Sequence, residues 1–488
     1  MEHRDLTQRV SRWAYKKPVA VLQQEAAASV GFKRTLTTLD LTLLGVGVVI
    51  GTGIFVLTGR AAAANAGPAV FISFMIAALP AALAALCYAE LAALLPVAGS
   101  VYTYTYATLG EACAFLIGWD LMLEYIIGAA TVGVGWSAYF TGFVRHLLRI
   151  ELPAHLCAAP VQWNLATQSF ERTGATLNLP AVGIILSVTL LLLRGPKASA
   201  RLNSVLVVLK LGLIAAFVFS CIGDVKSENF VPLVPANTGV FGQFGVSGIL
   251  RAASLLVFAY LGVDNLSTTA LEAKDPQRTL PRAIVMTVVI CTFLYVLVAI
   301  VTVGVVPYQH LDVANPIAVA AAFTGRAWLT DLVEIAAVFG LGSVLLVQIY
   351  AMPRIVYSMA RDGLLPARLA KLSANTGVPA LATCVVGALC AALAGLLPID
   401  VLGELCSSGT LFAFVLVSVG VCIMRLRHPE LPRKFRVPFG PYLIPGASVA
   451  VCLILLGLSG LHTLARLAGW LAVGLCVYLL YGVRHAGR

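Results

Sequence analysis

Twelve long apolar runs leave this chain few folds to choose from. They fall at residues 41–57, 66–94, 112–141, 179–193, 203–222, 246–270, 283–306, 329–350, 379–397, 404–424, 441–461 and 467–483. A helix crosses the hydrocarbon core of a bilayer with about 20 apolar residues. The runs are continuous and do not alternate, so they read as helices and not as barrel strands. Of 488 residues only 11% are charged, where a soluble domain carries about 25%. That deficit excludes a soluble globular or a disordered chain. Forty-three glycines and 23 prolines in runs this long exclude a coiled coil. The expected fold class is an all-α polytopic membrane protein.

A net charge of +11 would in a soluble protein point to nucleic acid. Here its location decides otherwise. With the N-terminus placed inside, 24 Lys and Arg residues fall in inner segments and seven in outer ones. The outer seven are Arg60, Arg145, Arg149, Arg172, Lys226, Arg326 and Arg466. This bias sets both termini in the cytoplasm and explains the charge without a polyanionic partner. Residues 1–39 are expected to be a cytoplasmic segment and residues 40–488 one transmembrane domain. The first forty residues hold no signal peptide, so insertion is expected to use the first membrane helix. Eleven cysteines, an odd number with no CxxC spacing, read as small hydrophobes and support neither a disulfide framework nor a zinc site.

Within the first run, Gly45, Gly47, Gly51 and Gly53 crowd nine residues, each weakening helix by about 1 kcal/mol against Ala. Close helix packing of the GxxxG kind is one reading; a dinucleotide fingerprint fails for want of a βαβ unit. The sixth run is interrupted likewise, by Gly262 and Asp264. Glycine-broken helices at matching positions of two halves point to a transporter binding site. A free helix N-terminus there favours a carboxylate and freed carbonyls favour an ammonium, the two ends of an amino acid.

Lys210 is the sharpest single residue. A charge at mid-membrane costs about 2.5–3.5 kcal/mol on insertion scales. Its run leaves about nine residues, roughly 13 Å, to the cytoplasmic end, which is far to snorkel. A lysine able to lose its proton there is a candidate proton carrier, and its ammonium is able to stand where a sodium ion would. Asp120 and Glu124 share a helix face; Glu124 either faces the substrate cavity or pairs within the bundle. Asp264 caps the second half of the broken helix or touches substrate. Glu90 reads as interfacial and Arg251 as snorkelling outward. No catalytic constellation and no metal-spaced histidines are recognisable, so no enzyme is expected.

These motifs resemble the cationic amino acid transporter branch of the amino acid–polyamine–organocation (APC) superfamily, from Leu36 to about Pro445. GVGVVIGTGIFVLTG is similar to that family's first-helix signature, and FAYLGVDNLSTTALEAKDPQRTLPRAI to its sixth helix and the loop beyond. AMPRIVYSMARDGLLP and LGELCSSGTLFAFVLVSVGVCIMRLRHPELPRKFRVPFGP resemble its eighth- and tenth-helix signatures. The resemblance implies a LeuT-like 5+5 inverted repeat of twelve helices, with repeats at 40–223 and 246–425 and extra helices at 440–484. It implies a substrate site at Ile50, Gly51, Thr52 and Gly53, completed by Phe258, Ala259 and Leu261, with Phe258 covering the substrate. Lys210 matches the lysine that replaces sodium in proton-coupled relatives. The sequence departs from the family at Asn265, at Leu271, which leaves only Glu272 of two glutamates, and at Arg251, a cation near the outer entrance.

The function expected is proton-coupled symport of cationic or small neutral L-amino acids by alternating access in the plasma membrane, here a bacterial inner membrane. Glu124 would help select a cationic side chain. The proton gradient would couple transport, with no cofactor and no metal. An exchanger of amino acids or polyamines is the alternative, and a nutrient sensor on a transporter fold a more distant one. A small membrane subunit and homo-oligomers are left open.

Overall fold

The computed structural model describes residues 36–94, 100–164, 169–194, 199–268, 273–373 and 376–486. The basic N-terminal segment before residue 36, Lys197, Leu271, Glu272 and Arg488 lie outside the described residues. Fourteen helices of eight residues or more are described. They are α1 (Thr38–Val49), α2 (Val70–Leu94), α3 (Ser100–Thr108), α4 (Glu111–Leu147), α5 (Leu179–Leu193), α6 (Ser199–Cys221) and α7 (Gly245–Leu256), followed by α8 (Pro276–Val305), α9 (Pro316–Phe323), α10 (Ala327–Arg361), α11 (Ala380–Leu396), α12 (Ile399–Arg427), α13 (Leu443–Leu458) and α14 (Leu461–Val477). Among the described residues, seven helical stretches are long and apolar enough to cross a membrane, and shorter apolar helices hold the other expected runs. The protein is a polytopic helical membrane protein.

Local chemistry starts these helices where they start. Thr37 and Asp40 form a capping box on α1: the Thr37 hydroxyl accepts from the Asp40 amide (3.3 Å) and the Asp40 carboxylate from the Thr37 amide (2.9 Å), which satisfies two otherwise orphaned donors. Asn178 caps α5 by accepting from the Ala181 amide. At about 1.5 Å per residue, the 37 residues of α4 span roughly 55 Å and outreach the hydrocarbon core.

The helices pack in two groups. Helices α1, α2, α7 and α8 form one, through α2–α8, α1–α8 and α2–α7 contacts; α4, α5, α10 and α11 form the other. Helix α6 bridges α1 to α10, and α12 bridges α2 to α4. Helices α13 and α14 lie against α12. Within each group the members fall at matching places in the two halves of the chain: α1 with α7, α2 with α8, α4 with α10, α5 with α11.

Two polar residues have partners that the sequence did not show. Glu90, near the end of α2, is buried in the protein. Its carboxylate is 2% exposed and accepts two hydrogen bonds from Arg425, one of them from Nε at 2.8 Å, and one from the Val437 amide at 2.7 Å. Arg433 stands 3.5 Å away, so the end of α2 is tied to the α12–α13 connection. Arg251 does not snorkel as a free cation: it pairs with Glu404 and donates to the Leu458 carbonyl (3.2 Å). Thr463 donates to the other Glu404 oxygen at 2.8 Å. The loop after α4 also holds a hairpin that the sequence reading missed, β1 (Val161–Asn164) antiparallel to β2 (Ser169–Arg172). The Arg466 guanidinium lies 4.6 Å over the Trp163 ring and binds the hairpin to α14.

Candidate functional site

Both glycine-interrupted runs are broken, and the breaks touch. Helix α1 ends at Val49, and Ile50 takes an extended conformation (φ −72°, ψ 98°). Helical turns resume at Gly53–Leu57 with π-type bonding. Beyond α7 the chain tightens into a 3-10 turn over Val257–Tyr260 and leaves it at Leu261 (ψ 135°). Gly262 then adopts φ +97°, a conformation that favours glycine. One further helical turn, Asn265–Thr268, follows.

Glycine is what lets the breaks meet. A Cβ on Gly53 would fall 2.4 Å from the Ala259 Cα, and one on Gly262 would fall 2.7 Å from a Val48 methyl. Helix α4 approaches by the same means: a Cβ on Gly135 would lie 2.6 Å from the Thr52 methyl, and one on Gly128 would lie 2.9 Å from a Leu261 methyl. Val344 of α10 faces Gly51 at ordinary van der Waals distance. So Ile50, Gly51, Thr52, Gly53, Ala259 and Leu261 converge between the two broken segments, α4 and α10. Phe258 is buried in the 3-10 turn, and its carbonyl accepts from the Leu261 amide (3.0 Å).

The carbonyls that the first break frees are held by Lys210. It is 2% exposed, while Val208 and Leu209 beside it are 64% and 52% exposed; the lysine therefore faces the protein while its neighbours face outward. Its stem crosses α10 at Gly340, where a Cβ would lie 3.1 Å from Lys210 Cγ. Nζ donates to the carbonyls of Gly47 (2.8 Å) and Ile50 (3.2 Å). Hydrogen bonds from a charged donor contribute about 1.5–3 kcal/mol each, enough together to offset a charge at this depth.

A second anchor was not picked out from the sequence. The Tyr295 hydroxyl, on α8, contacts the carbonyls of Val49 (2.9 Å) and Ala259 (2.7 Å). One phenol thus ties the two breaks together. The sequence signal was a lone phenol in the apolar run of α8, which tertiary structure alone gives a meaning.

Glu124 lies one turn before Gly128. Its side chain is 2% exposed, and among the described residues its Oε2 has no hydrogen-bond partner. Its backbone carbonyl accepts from the Cys406 thiol (3.2 Å). Asp120 is fully buried, and neither of its oxygens is hydrogen-bonded among the described residues. The Asp264 carboxylate accepts from Tyr125 (2.9 Å) and from the backbone amides of Gly262, Asp264 and Asn265 in the break itself. Tyr125 also donates to Asn265, which gives that departure from the family pattern a partner. Thr52 Oγ1 and Gln348 Oε1 are buried polar atoms beside the breaks without a hydrogen bond among the described residues. Among the described residues the arrangement gathers polar groups between the two breaks and offers no nucleophile–base pair.

A family model described as amino acid permease matches residues 36–474. Over 472 residues the chain is 42% identical to the methylthioribose transporter of Bacillus subtilis (strain 168), covering 96% of this chain and 98% of the relative. It is equally similar, over the same shares, to the branched-chain amino acid permease BcaP of that organism. Cationic amino acid transporter 4 of Mus musculus is 36% identical over 409 residues, 84% of this chain and 62% of the relative.

Proposed function

The chain belongs to the amino acid permease family, whose members here are transporters and not enzymes, and we propose that it is a proton-coupled symporter of cationic or small neutral L-amino acids. The substrate lies between the two broken segments, against α4 and α10. Its carboxylate meets the chain at Gly51–Gly53, and its ammonium meets the carbonyls around Phe258–Leu261. Phe258 covers it, and Glu124 takes part in choosing the side chain. Relatives are named for branched-chain amino acids, methylthioribose and cationic amino acids, so side-chain choice lies in residues such as Glu124 and not in the family frame.

The architecture behind this reading is a 5+5 inverted repeat of twelve crossings, residues 40–223 and 246–425, with α13 and α14 appended. The matched pairing of α1 with α7, α2 with α8, α4 with α10 and α5 with α11 supports it. Both termini face the cytoplasm of a bacterial cell, as the distribution of Lys and Arg favours. Transport is alternating access: the group containing α1 and α7 rocks against the group containing α4 and α10.

The single observation that carries the coupling is the Lys210 ammonium on the Gly47 and Ile50 carbonyls. An ammonium there does what a bound sodium ion would do, and it is able to leave as a proton. The test is uptake of labelled amino acids into proteoliposomes with an imposed pH gradient, acid outside. Inward accumulation should follow the gradient in the wild type and lose that dependence in Lys210→Ala. Unchanged pH dependence in the variant overturns the coupling. Counterflow without gradient-driven accumulation in the wild type makes the protein an exchanger.

A further inference from the structure

The C-terminal end of α4 and the first turns of α10 meet in a cluster that transport leaves unused, and we propose that it is a binding site for a divalent transition-metal ion of the zinc type. His146 comes from α4. Asp331 and Glu334 are three residues apart on α10 and so share a helix face. One ligand atom from each lies within 4.8 Å of the others. The imidazole Nδ1 is 3.0 Å from both Glu334 oxygens, and its hydrogen bond goes to Oε2. Among the described residues the other oxygen, Oε1, has that ion-pair contact but no hydrogen bond, although the residue is fully buried.

The protein is shaped around that carboxylate. A Cβ at Gly142 would fall 2.3 Å from Glu334 Oε1 and 3.5 Å from Asn315 Nδ2. Glycine therefore makes the cradle on α4 into which the acid fits. Two carboxylates one turn apart face one imidazole, an excess of negative charge that a dication cancels. One nitrogen and two carboxylate oxygens suit zinc or a similar transition metal, with water as a fourth ligand. Calcium and magnesium prefer all-oxygen shells of six or more ligands. His146 is 39% exposed and gives the ion its way in. Arg145, exposed beside it, has Nη2 3.4 Å from the imidazole Nε2; with metal on Nδ1 the ring proton moves to Nε2 and the arginine turns to water. On the orientation proposed above, the site opens to the outer face and staples α4 to α10, two helices of one packing group.

The test uses purified full-length protein freed of any histidine tag. Zinc chloride at micromolar concentration should raise the melting temperature saturably, because a ligand that binds only the folded state stabilises it by mass action. Equilibrium dialysis should find about one more zinc per chain in the wild type than in His146→Ala. That variant alters an exposed side chain and keeps the fold, so it carries the test even if Glu334→Gln folds poorly. Equal zinc binding in wild type and His146→Ala overturns the site. So does a melting shift that magnesium produces as well as zinc. Neither measurement involves transport, so failure here leaves the symport reading standing.

Discussion

Replacing Gly53 by alanine tests the closest approach in the structure. The new Cβ would fall 2.4 Å from the Ala259 Cα, 2.5 Å from its Cβ and 3.1 Å from its amide nitrogen. Ordinary contact begins near 3.4 Å, so relief takes a separation of 3.4 − 2.4 = 1.0 Å between the two broken segments. No side chain can swing clear, because the nearest atoms are backbone and Tyr295 holds the Ala259 carbonyl from behind. Overpacking of this kind costs about 1–3 kcal/mol. A displacement of about 1 Å in a binding constellation reduces rate by up to roughly 100-fold, or about 2.7 kcal/mol at 1.36 kcal/mol per tenfold. Gly53→Ala should therefore fold and insert, and lose about 10- to 100-fold in kcat/KM for uptake into proteoliposomes. Gly212→Ala is the control: it lies on α6 two residues past Lys210, and its Cβ would meet nothing within 4 Å. It should transport as the wild type does. Wild-type KM and kcat in Gly53→Ala would refute the claim that substrate sits where these two segments converge.

Lys210→Ala should lower stability as well as coupling: two carbonyls lose their donor, at about 1–3 kcal/mol per unsatisfied group, read as a lower melting temperature in detergent. A melting temperature equal to that of the wild type would mean the carbonyls do not need the ammonium. Tyr295→Phe deletes one hydroxyl, whose single proton the two carbonyls share, worth about 0.5–1.5 kcal/mol in all; KM should rise with expression maintained, and an unchanged KM removes Tyr295 from the site. Glu90→Gln leaves Arg425 and Arg433 without their counter-charge at 12% and 4% exposure, and breaking such a pair costs about 3–5 kcal/mol. Its melting temperature should fall clearly; a shift within error would make the pairing incidental.

What the sequence disclosed, it disclosed through local signals. Each apolar run finds a helix because burial in lipid depends on a window of about 20 residues. Gly51, Gly53, Gly262 and Lys210 stood out because each breaks the rule of its own run. What stayed hidden depends on distant neighbours. Tyr295 lies 246 residues from one of its carbonyls and 36 from the other, and nothing in its own run marks it. The pairing of Glu90 stayed hidden because its partner, Arg425, lies 335 residues away. The β1–β2 hairpin escaped because its strands are only four residues long, too short for a pattern of alternation to stand out. Gly128 and Gly135 were read as part of an apolar run, although their smallness brings α4 to the breaks.

The hydrogen bonds at the breaks divide the labour between protein and solute. Without substrate, Lys210 occupies the carbonyls of Gly47 and Ile50, and those of Val49 and Ala259 share the single proton of the Tyr295 hydroxyl. A broken helix held this way does not have to be ordered by its ligand, and ordering costs are what most reduce affinity. Thr52 Oγ1 and Gln348 Oε1 remain unoccupied among the described residues, beside the point where the breaks, α4 and α10 converge. Under the proposed mechanism the two anchors are not equivalent. Tyr295 keeps its hydroxyl through the cycle, so it sets the fixed spacing of the two segments. Lys210 holds one segment alone, and losing its proton leaves a weaker, neutral donor on the Gly47 and Ile50 carbonyls. The first broken segment then loosens while the second stays fastened, which is the asymmetry alternating access needs. A variant that keeps the charge but not the geometry separates these roles: Lys210→Arg keeps a permanent cation there, so it should bind substrate and fail to respond to pH. Binding lost with Tm preserved would show instead that the shape of the ammonium, and not its proton, is what the break requires.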